Sequence, residues 1–338
     1  MPLDRLVVIG ASAGGVSSLT ELVGGLAADL PAPVLIVMHT SPSHDSMLPG
    51  ILARAGPLPA RHAKDGETIL PGRIYVAPPD CHMLVEGDRI VVARGPKENR
   101  FRPSIDALFR SAAYTVRSGA IGVILSGSLE DGVSGLWTIK RLGGISIVQH
   151  PDDAEFGWLP ESAHQQVEVD HSPTAGDIGP LLSRLLQSPP PMGARMQSDE
   201  EQRLKSEINI AKGEYPVDAE SLRFGPFSGI SCPDCHGVLM KIDEHGMMRF
   251  RCHTGHAYSS SALLAAIGQD VEAKTREAIR ALEEAMLLYE DVGRDLEKRG
   301  EAGKAAQFFD EARSVRARSR ALHSTIVESP SEAEIDAD

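Results

Sequence analysis

The sequence predicts an α/β fold with a doubly wound, mainly parallel sheet, followed by a small Cys/His module and a C-terminal α-helical hairpin. Short apolar runs alternate with helical patterns over residues 1–187, as in doubly wound sheets. Cysteines and histidines cluster within residues 229–260, and two long helical periodicities fill residues 261–328. A polar, proline-containing linker (188–228) and an acidic tail (329–338) complete the predicted organisation.

The overall composition excludes several classes of protein. The 338 residues carry a formal net charge of −13, which opposes binding along nucleic-acid phosphates. No run of about 18 apolar residues predicts a membrane span, and the N-terminus lacks the pattern of a secretory signal. We therefore expect a cytoplasmic protein with no nucleic-acid partner and no membrane insertion.

Four apolar runs predict the buried strands of the sheet. They lie at residues 6–10, 34–38, 121–125 and 145–149. None alternates with polar residues, which is typical of strands covered on both faces. Helical patterns follow at residues 16–28, 104–116, 133–142 and 174–186. Residues 60–94 differ, because Asp-Gly, Pro-Gly and Gly-Asp turns separate short runs there, and we predict an antiparallel insertion.

The turn after the first predicted strand contains a candidate nucleophile, Ser12. Residues 10–15 read Gly-Ala-Ser-Ala-Gly-Gly, which lifts the Ser12 hydroxyl above the sheet edge and directs backbone N–H groups to the same place. A glycine-rich turn also cradles nucleotides in Rossmann-like folds, so the turn alone leaves both interpretations open. The next strand ends in His39, where a dinucleotide-binding fold has an acid. The histidine favours the nucleophile, because a hydroxyl needs a base to activate it.

A carboxylate completes this group of side chains. Asp131 lies in the loop after the third buried strand, at the same edge of the sheet. It would orient the imidazole of His39 and stabilise its charged form, although capping of the following helix is an alternative role. Glu130 is the competing acid, with a longer side chain that orients a ring less tightly.

Five motifs resemble the catalytic domain of CheB, the chemotaxis protein-glutamate methylesterase. Three are residues 8–15, the Val-Met-His at 37–39 and the Gly-x-x-x-Asp-Gly at 127–132. The other two are Gly-Arg-Ile-Tyr-Val-Ala-Pro-Pro-Asp at 72–80 and Arg-Pro-Ser-Ile-Asp-Ala-Leu-Phe-Arg-Ser-Ala-Ala at 102–113. The resemblance covers about residues 5–187.

The resemblance implies an esterase with a Ser-His-Asp triad and no catalytic cofactor. Ser12, His39 and Asp131 fall at the positions of the nucleophile, base and orienting acid. The implied substrate is a methylated receptor-type protein, and glutamine deamidation is a second implied activity. Backbone N–H groups near Ala13 and Ser128 are the oxyanion candidates. Arg102 either meets an acidic substrate surface or is an ordinary arginine before a helix.

Two features depart from the family pattern. The first strand begins by residue 6, so we expect no phosphorylatable receiver domain before the esterase. The loop before the acid reads Gly-Ser-Leu-Glu-Asp-Gly at 127–132, whereas the family often has Gly-Met-Gly-x-Asp-Gly. Because that loop borders the site, the family's substrate fit and oxyanion contacts do not carry over to this chain from the resemblance alone.

The Cys/His module has the spacing of a zinc site. Cys232 and Cys235 form a Cys-x-x-Cys pair, and Cys252 and His256 follow at a Cys-x-x-x-His spacing. These four ligands fill a tetrahedron, so the zinc would be structural. His253 is the alternative fourth ligand and His236 a weaker one. Cys81 stands alone and is predicted to be an ordinary cysteine.

The C-terminal helices leave other functions open. We predict a hairpin that turns near residues 300–303 and acts as a dimerisation element, as a surface for a signalling partner or as a lid over the esterase. A catalytically weak scaffold that recruits partners through the zinc and helical tail is the alternative function. Nucleotide binding by the glycine-rich turn is a third hypothesis about the function. The complete set of Ser12, His39 and Asp131 favours the enzyme.

Overall fold

A computed structural model describes residues 3–40, 46–191, 193, 196–214, 225–244 and 246–327. The chain divides into two compact units, Met1–Leu263 and Leu264–Asp338. The predicted acidic tail, residues 329–338, lies outside the described residues. Within the described ranges, no helix has the length and apolar character needed to cross a membrane.

The first unit is built on a six-stranded sheet whose pairings are all parallel. Its strands are β1 (Leu6–Ala11), β2 (Val34–Met38), β3 (Ala60–His62), β4 (Ile74–Val76), β7 (Ala120–Ile124) and β8 (Ile145–Val148). Their order is β3-β4-β2-β1-β7-β8. Leu6 and Val8 face one apolar layer, whereas Val7 and Ile9 face the other. The predicted doubly wound α/β fold is therefore confirmed.

Helices cover both faces of this sheet. They are α1 (Gly15–Gly24), α2 (Leu48–Ala55), α3 (Ile105–Val116), α4 (Val133–Arg141), α5 (Trp158–Gln166) and α6 (Ala175–Leu186). The layer that contains α3 and α4 is separate from the layer that contains α1, α2 and α6. The sequence patterns missed α2 and α5, because both are short and α2 has Pro49 and Gly50 in its first turn.

The predicted antiparallel insertion is only partly present. Strands β5 (His82–Glu86) and β6 (Arg89–Ala93) form an antiparallel hairpin, with Gly87 at φ 58° in the turn. By contrast, β3 and β4 join the main sheet in parallel. The prediction was wrong for these two strands, because turn residues show where the chain changes direction but not which strand it pairs with next.

The segment predicted as a linker contains the helix α7 (Ser198–Lys212). Its inner face buries Leu204, Ile208 and Glu207, and the two apolar side chains join the core layer that contains α3 and α4. The sequence pattern did not predict this helix, because one of its buried positions is a glutamate and the apolar periodicity is therefore weak. Residues 215–224 of the segment lie outside the described ranges.

The Cys/His module is a small antiparallel sheet within the first unit. We call residues 225–259 the ribbon; its strands are β9 (Phe227–Ser231), β10 (Val238–Glu244), β11 (Met247–Cys252) and β12 (Ala257–Ser259). The strand order is β12-β11-β10-β9. A single compact unit therefore contains both the large sheet and the ribbon.

The two long helices are α8 (Ser260–Lys298) and α9 (Ala302–Val327), which meet near Gly300 at φ 81°. Within the second unit they run antiparallel, since Glu290 pairs with Arg316 at 2.7 Å and Glu283 pairs with His323 at 3.3 Å. The predicted helical hairpin is confirmed.

Candidate active site

Ser12 lies in the tight turn between β1 and α1. The turn requires glycine at position 14, because Gly14 has φ 69° and a Cβ there would lie 2.6 Å from the hydroxyl oxygen of Ser126. The N–H of Ser12 donates to the carbonyl of Ser126 at 3.0 Å, which ties the turn to the end of β7. The backbone therefore fixes the Ser12 hydroxyl at the carboxyl edge of the sheet, where ligands of α/β folds bind.

His39 lies between Ser12 and Asp131. Its Nδ1 is 3.1 Å from the Ser12 hydroxyl, and its Nε2 is 2.8 Å from Oδ2 of Asp131. With Nε2 protonated and donating to the carboxylate, Nδ1 is left as the acceptor for the serine proton. The ring stacks on Phe101 with centroids 3.6 Å apart and planes 8° apart. This stacking and the carboxylate together fix the orientation of the imidazole.

Asp131 is buried and accepts hydrogen bonds on both oxygens. Its Oδ1 accepts from Asn99 Nδ2 at 2.8 Å and from the Ser104 hydroxyl at 2.8 Å. Its Oδ2 accepts from His39 and from the Ile105 N–H at 2.6 Å. Burial alone would raise the pKa of Asp131, but the bonds from His39, Asn99 and Ile105 outweigh it and lower that pKa. The carboxylate therefore stays charged beside the imidazole.

The N-terminus of α3 contributes to the site. Ser104 caps this helix, and its hydroxyl also donates to Asp131. The free N–H groups of a helix start favour a negative charge. The start of the helix predicted at residues 104–116 thus also provides two donors for the carboxylate, from Ser104 and Ile105.

A second buried carboxylate, Asp106, lies beside Asp131. Its oxygens accept from the Gly135 N–H at 2.6 Å and from Asn99 Nδ2 at 2.9 Å. Burial, aided by Asp131 and opposed by Arg110, raises the pKa of Asp106 to about 7. Asn99 therefore bridges two acids, of which one is charged at neutral pH and the other is close to its midpoint.

This raised pKa predicts a pH dependence of stability. The folded protein holds the Asp106 proton up to about pH 7, whereas an unfolded aspartate loses it near pH 4. The contribution of Asp106 to the free energy of unfolding therefore falls as pH rises from about 4 to 7, by about 1.4 kcal/mol per unit of pKa difference. Urea unfolding of the wild type and Asp106→Asn at several pH values measures it. Equal pH dependence in both proteins would contradict the raised pKa.

Other residues singled out from the sequence have different partners. Glu130 accepts a hydrogen bond from Gln166 at 3.2 Å instead of approaching His39. Arg102 donates to Asp80 at 2.7 and 2.9 Å and to the carbonyl of Gly95 at 2.9 Å, so its guanidinium is held within the protein. The loop that carries Ser128 does approach Ser12, because a Cβ on Gly127 would lie 2.9 Å from the Cβ of Ser12.

The four predicted metal ligands lie together in the ribbon. The ligand atoms of Cys232, Cys235, Cys252 and His256 all fall within 4.8 Å of one another. Three of the separations are 3.6 Å, namely Cys235–Cys252 between sulfurs and Cys232–His256 and Cys252–His256 between sulfur and Nδ1. Tetrahedral zinc with ordinary bond lengths separates such atoms by about 3.6–3.8 Å. The donor set therefore fits a zinc ion, and His253 lies outside it.

A buried ion cluster joins the ribbon and α7 to α3 and to the loop before α3. Its members are at most 5% exposed and comprise three arginines and three glutamates, Arg110, Arg249, Arg251, Glu98, Glu207 and Glu244. Arg251 lies 3.1 Å from Glu98 and 3.0 Å from Glu207, and Arg249 lies 2.8 Å from Glu244. Burial would raise the pKa of Glu207, but the surrounding arginines hold it well below its ordinary value. The charges balance when the neighbouring Asp106 is neutral.

Sequence reasoning missed Asn99 and Phe101. Both lie in the loop before α3, which has no periodicity. Asn99 has φ 50°, a conformation that asparagine tolerates better than most residues. That preference was the available signal, but it does not indicate that the side chain contacts Asp131.

Comparisons with known proteins concern the part of the chain that contains these side chains. The sequence profile of the CheB methylesterase family matches residues 7–182. A protein-glutamate methylesterase/protein-glutamine glutaminase of Anaeromyxobacter dehalogenans is 41% identical over 165 residues, which are 48% of this chain and 48% of that relative. A candidate enzyme of the same name from Leptospira interrogans is 37% identical over 183 residues, or 54% of this chain and 95% of the relative.

One solved structure supports the same comparison. The crystal structure of the Thermotoga maritima CheB methylesterase catalytic domain aligns with a TM-score of 0.52 and 31% identity. The alignment covers 54% of this chain and 98% of that chain. The chain therefore spans nearly all of an isolated catalytic domain, but about half the length of the Anaeromyxobacter relative.

Proposed function

The chain belongs to the CheB methylesterase family, and we propose that it hydrolyses methyl esters of glutamate side chains on chemoreceptor-like signalling proteins in the cytoplasm. The observation that carries the proposal is the line of hydrogen bonds from Ser12 through His39 to Asp131. The names of the relatives also support deamidation of glutamine at the same site.

The geometry supports a two-step hydrolysis. His39 takes the proton of the Ser12 hydroxyl through Nδ1 while the oxygen attacks the ester carbonyl. The tetrahedral intermediate collapses to a glutamyl-serine ester, and His39 returns the proton to the departing methoxide, which leaves as methanol. Water then gives a proton to His39 and attacks the acyl group, and His39 passes that proton to the departing Ser12 oxygen as the free glutamate is released. Asp131 keeps its charge and stabilises the imidazolium in both steps.

The oxyanion of the intermediate needs donors close to Ser12. We assign this role to the backbone N–H groups of Ala13 and Ser128. Ala13 follows the nucleophile in the turn, and the packing of Gly127 against Ser12 brings the second loop to the same place. Both donors belong to the backbone, so the altered side chains at 128–130 leave them intact.

Methanol release tests the function directly. The purified protein is incubated with methyl-esterified receptors from the source cell, and methanol is measured by gas chromatography. Release above a heat-inactivated control supports the esterase. No release from a folded, metal-loaded protein would contradict it and would favour the scaffold. A rise in melting temperature on addition of a nucleotide would instead favour nucleotide binding.

We further propose that Cys232, Cys235, Cys252 and His256 bind one structural zinc ion. All four positions of the tetrahedron are filled by protein atoms, which suits a structural and not a catalytic site. Thr254 supports the set, because its hydroxyl lies 3.0 Å from the sulfurs of both Cys235 and Cys252. The metal would hold the ribbon strands in register.

We expect one zinc ion per chain and a loss of zinc affinity of about 100-fold or more in His256→Ala, because that change removes one of four ligands. Elemental analysis and competition with a chromophoric chelator measure both. The control is His253→Ala, which removes a histidine three positions away and should keep the wild-type affinity. The opposite pattern would contradict this ligand assignment.

Exposed apolar side chains on the helical hairpin are consistent with a contact to another protein chain. Its most exposed apolar side chains are Leu264, Val271, Leu287 and Leu288, each at least 55% exposed. A contact with a second copy of the chain or with a signalling partner would cover them.

A further inference from the structure

We propose that Asn99 is a positioning residue through which the ribbon holds the triad carboxylate, so that the esterase reaches full activity only when the ribbon is folded around its metal. This inference rests on the proposed triad and metal site. It assigns the C-terminal extension a role within the catalytic centre.

The amide of Asn99 connects the two parts directly. Its Nδ2 donates to Asp131 at 2.8 Å and to Asp106 at 2.9 Å. Its Oδ1 accepts from the Ser259 N–H in β12 at 2.7 Å. Because the Ser259 bond uses the oxygen, the NH2 group must face the two carboxylates. A backbone donor of the ribbon thus determines which end of the amide faces Asp131.

The backbone of the Asn99 loop is also paired with the ribbon. The Asn99 N–H donates to the carbonyl of Ala257 at 2.7 Å, and the Ala257 N–H donates to the carbonyl of Lys97 at 3.3 Å. The same loop carries Phe101, whose ring stacks on His39. Strand β12 therefore supports contacts to both the acid and the base of the triad.

Buried charges hold this pairing in place. Glu98, the residue before Asn99, contacts Arg251 of β11 and Arg110 of α3. All three side chains are at most 1% exposed. Separation of the ribbon would leave Glu98 without Arg251, one of the two arginines that compensate its buried charge. The loop and the ribbon are therefore expected to move together.

The proposed metal site lies next to this strand. His256 immediately precedes Ala257, and its carbonyl accepts from the Cys252 N–H at 3.0 Å. Loss of the ion would free His256 and Cys252, the two ligands that flank the turn into β12. The pairing with Lys97 and Asn99 would weaken with it, and the Asn99 amide would lose its fixed orientation.

The central variant is Asn99→Gly, because glycine accepts the φ of 50° and the change removes the amide without backbone strain. We expect kcat to fall about 10- to 100-fold with KM nearly unchanged, since a misplaced catalytic group slows the chemical step. The kcat of Asn99→Asp should fall further, because this change places an acceptor where the NH2 group donates to Asp131. Ser134→Ala is the control, since Ser134 bonds to Glu244 of the ribbon at 2.8 Å without contacting the triad.

The pH profile separates positioning from loss of folded protein. Without the Asn99 donor, Asp131 attracts the imidazolium proton more strongly, so the acid limb of kcat/KM should move to higher pH. A smaller fraction of folded enzyme would lower the rate at every pH and leave the limb in place.

Zinc removal by a chelator, followed by zinc return, tests the link to the ribbon. The kcat of the wild type should fall to about that of Asn99→Gly when zinc is removed and should recover when zinc is returned. The kcat of Asn99→Gly should change little in either step. Hydrogen exchange over residues 96–104 should rise in the zinc-free wild type. Full activity without zinc, or an Asn99→Gly rate and profile equal to those of Ser134→Ala, would overturn the inference. A Ser12→Ala protein that retained a tenth or more of the wild-type activity would instead refute the triad itself.

Discussion

Ser12→Ala is expected to lower kcat for methanol release by about 10⁴-fold or more, the loss typical of a missing serine nucleophile. The remaining rate would come from water attack with the oxyanion donors and His39 still in place. The fold should be unchanged, because the turn is held by the bond from the Ser12 N–H to Ser126, which alanine keeps. Initial rates of methanol release at saturating substrate measure the effect.

Ser17→Ala is the matched control for this variant. Ser17 lies on α1 in the same segment and is exposed, so the change should leave kcat within a factor of about two of the wild type. A Ser12→Ala protein that retained a tenth or more of the activity would show that another group attacks the ester.

Glu207→Gln should destabilise the first unit by about 3–5 kcal/mol, the cost of removing one partner from a buried ionic contact. Glu207 is 1% exposed and contacts Arg249 at 2.5 Å and Arg251 at 3.0 Å. Glutamine keeps the shape but leaves three buried arginines with two glutamates. Urea unfolding followed by tryptophan fluorescence measures the loss. Both tryptophans of the chain, Trp137 and Trp158, lie in the first unit.

The same substitution at an exposed position of α7 provides the control. Glu201 contacts Arg117, but its side chain is 40% exposed, so Glu201→Gln should cost at most about 1 kcal/mol. If the two variants had equal stability, the buried ion cluster would not be what attaches the ribbon and α7.

The sequence predicted the parts of the fold that depend on local patterns. The runs at β1, β2 and β7 contain no polar side chain and β8 contains one, Ser146, and such runs have few alternatives to a buried parallel strand. Strands β3 and β4 have three residues each, and their pairing depends on neighbours that are distant in sequence. The helix α7 was missed because Glu207 is buried by ion pairs with residues more than 40 positions away.

The candidate site likewise has residues that local patterns predict and residues whose roles depend on contacts distant in sequence. Ser12, His39 and Asp131 were predictable because each follows a recognisable strand, and parallel strands bring their carboxyl ends together. Asn99 was not, because its role depends on the ribbon, and its bond to Ser259 spans 160 positions. No local pattern records a contact of that separation.

The distance in sequence between Asn99 and Ser259 has a consequence for protein synthesis. A nascent chain contains Ser12, His39 and Asp131 long before the ribosome has added Ser259, and N-terminal regions fold first as they emerge. If Asn99 is oriented by Ser259, the growing polypeptide holds every reacting group yet lacks the support for its carboxylate. Hydrolysis would reach its full rate only once translation has passed the ribbon and the ribbon has folded. A product of premature termination in the segment before the ribbon would then be a weakened enzyme, about 10- to 100-fold slower than the full-length chain.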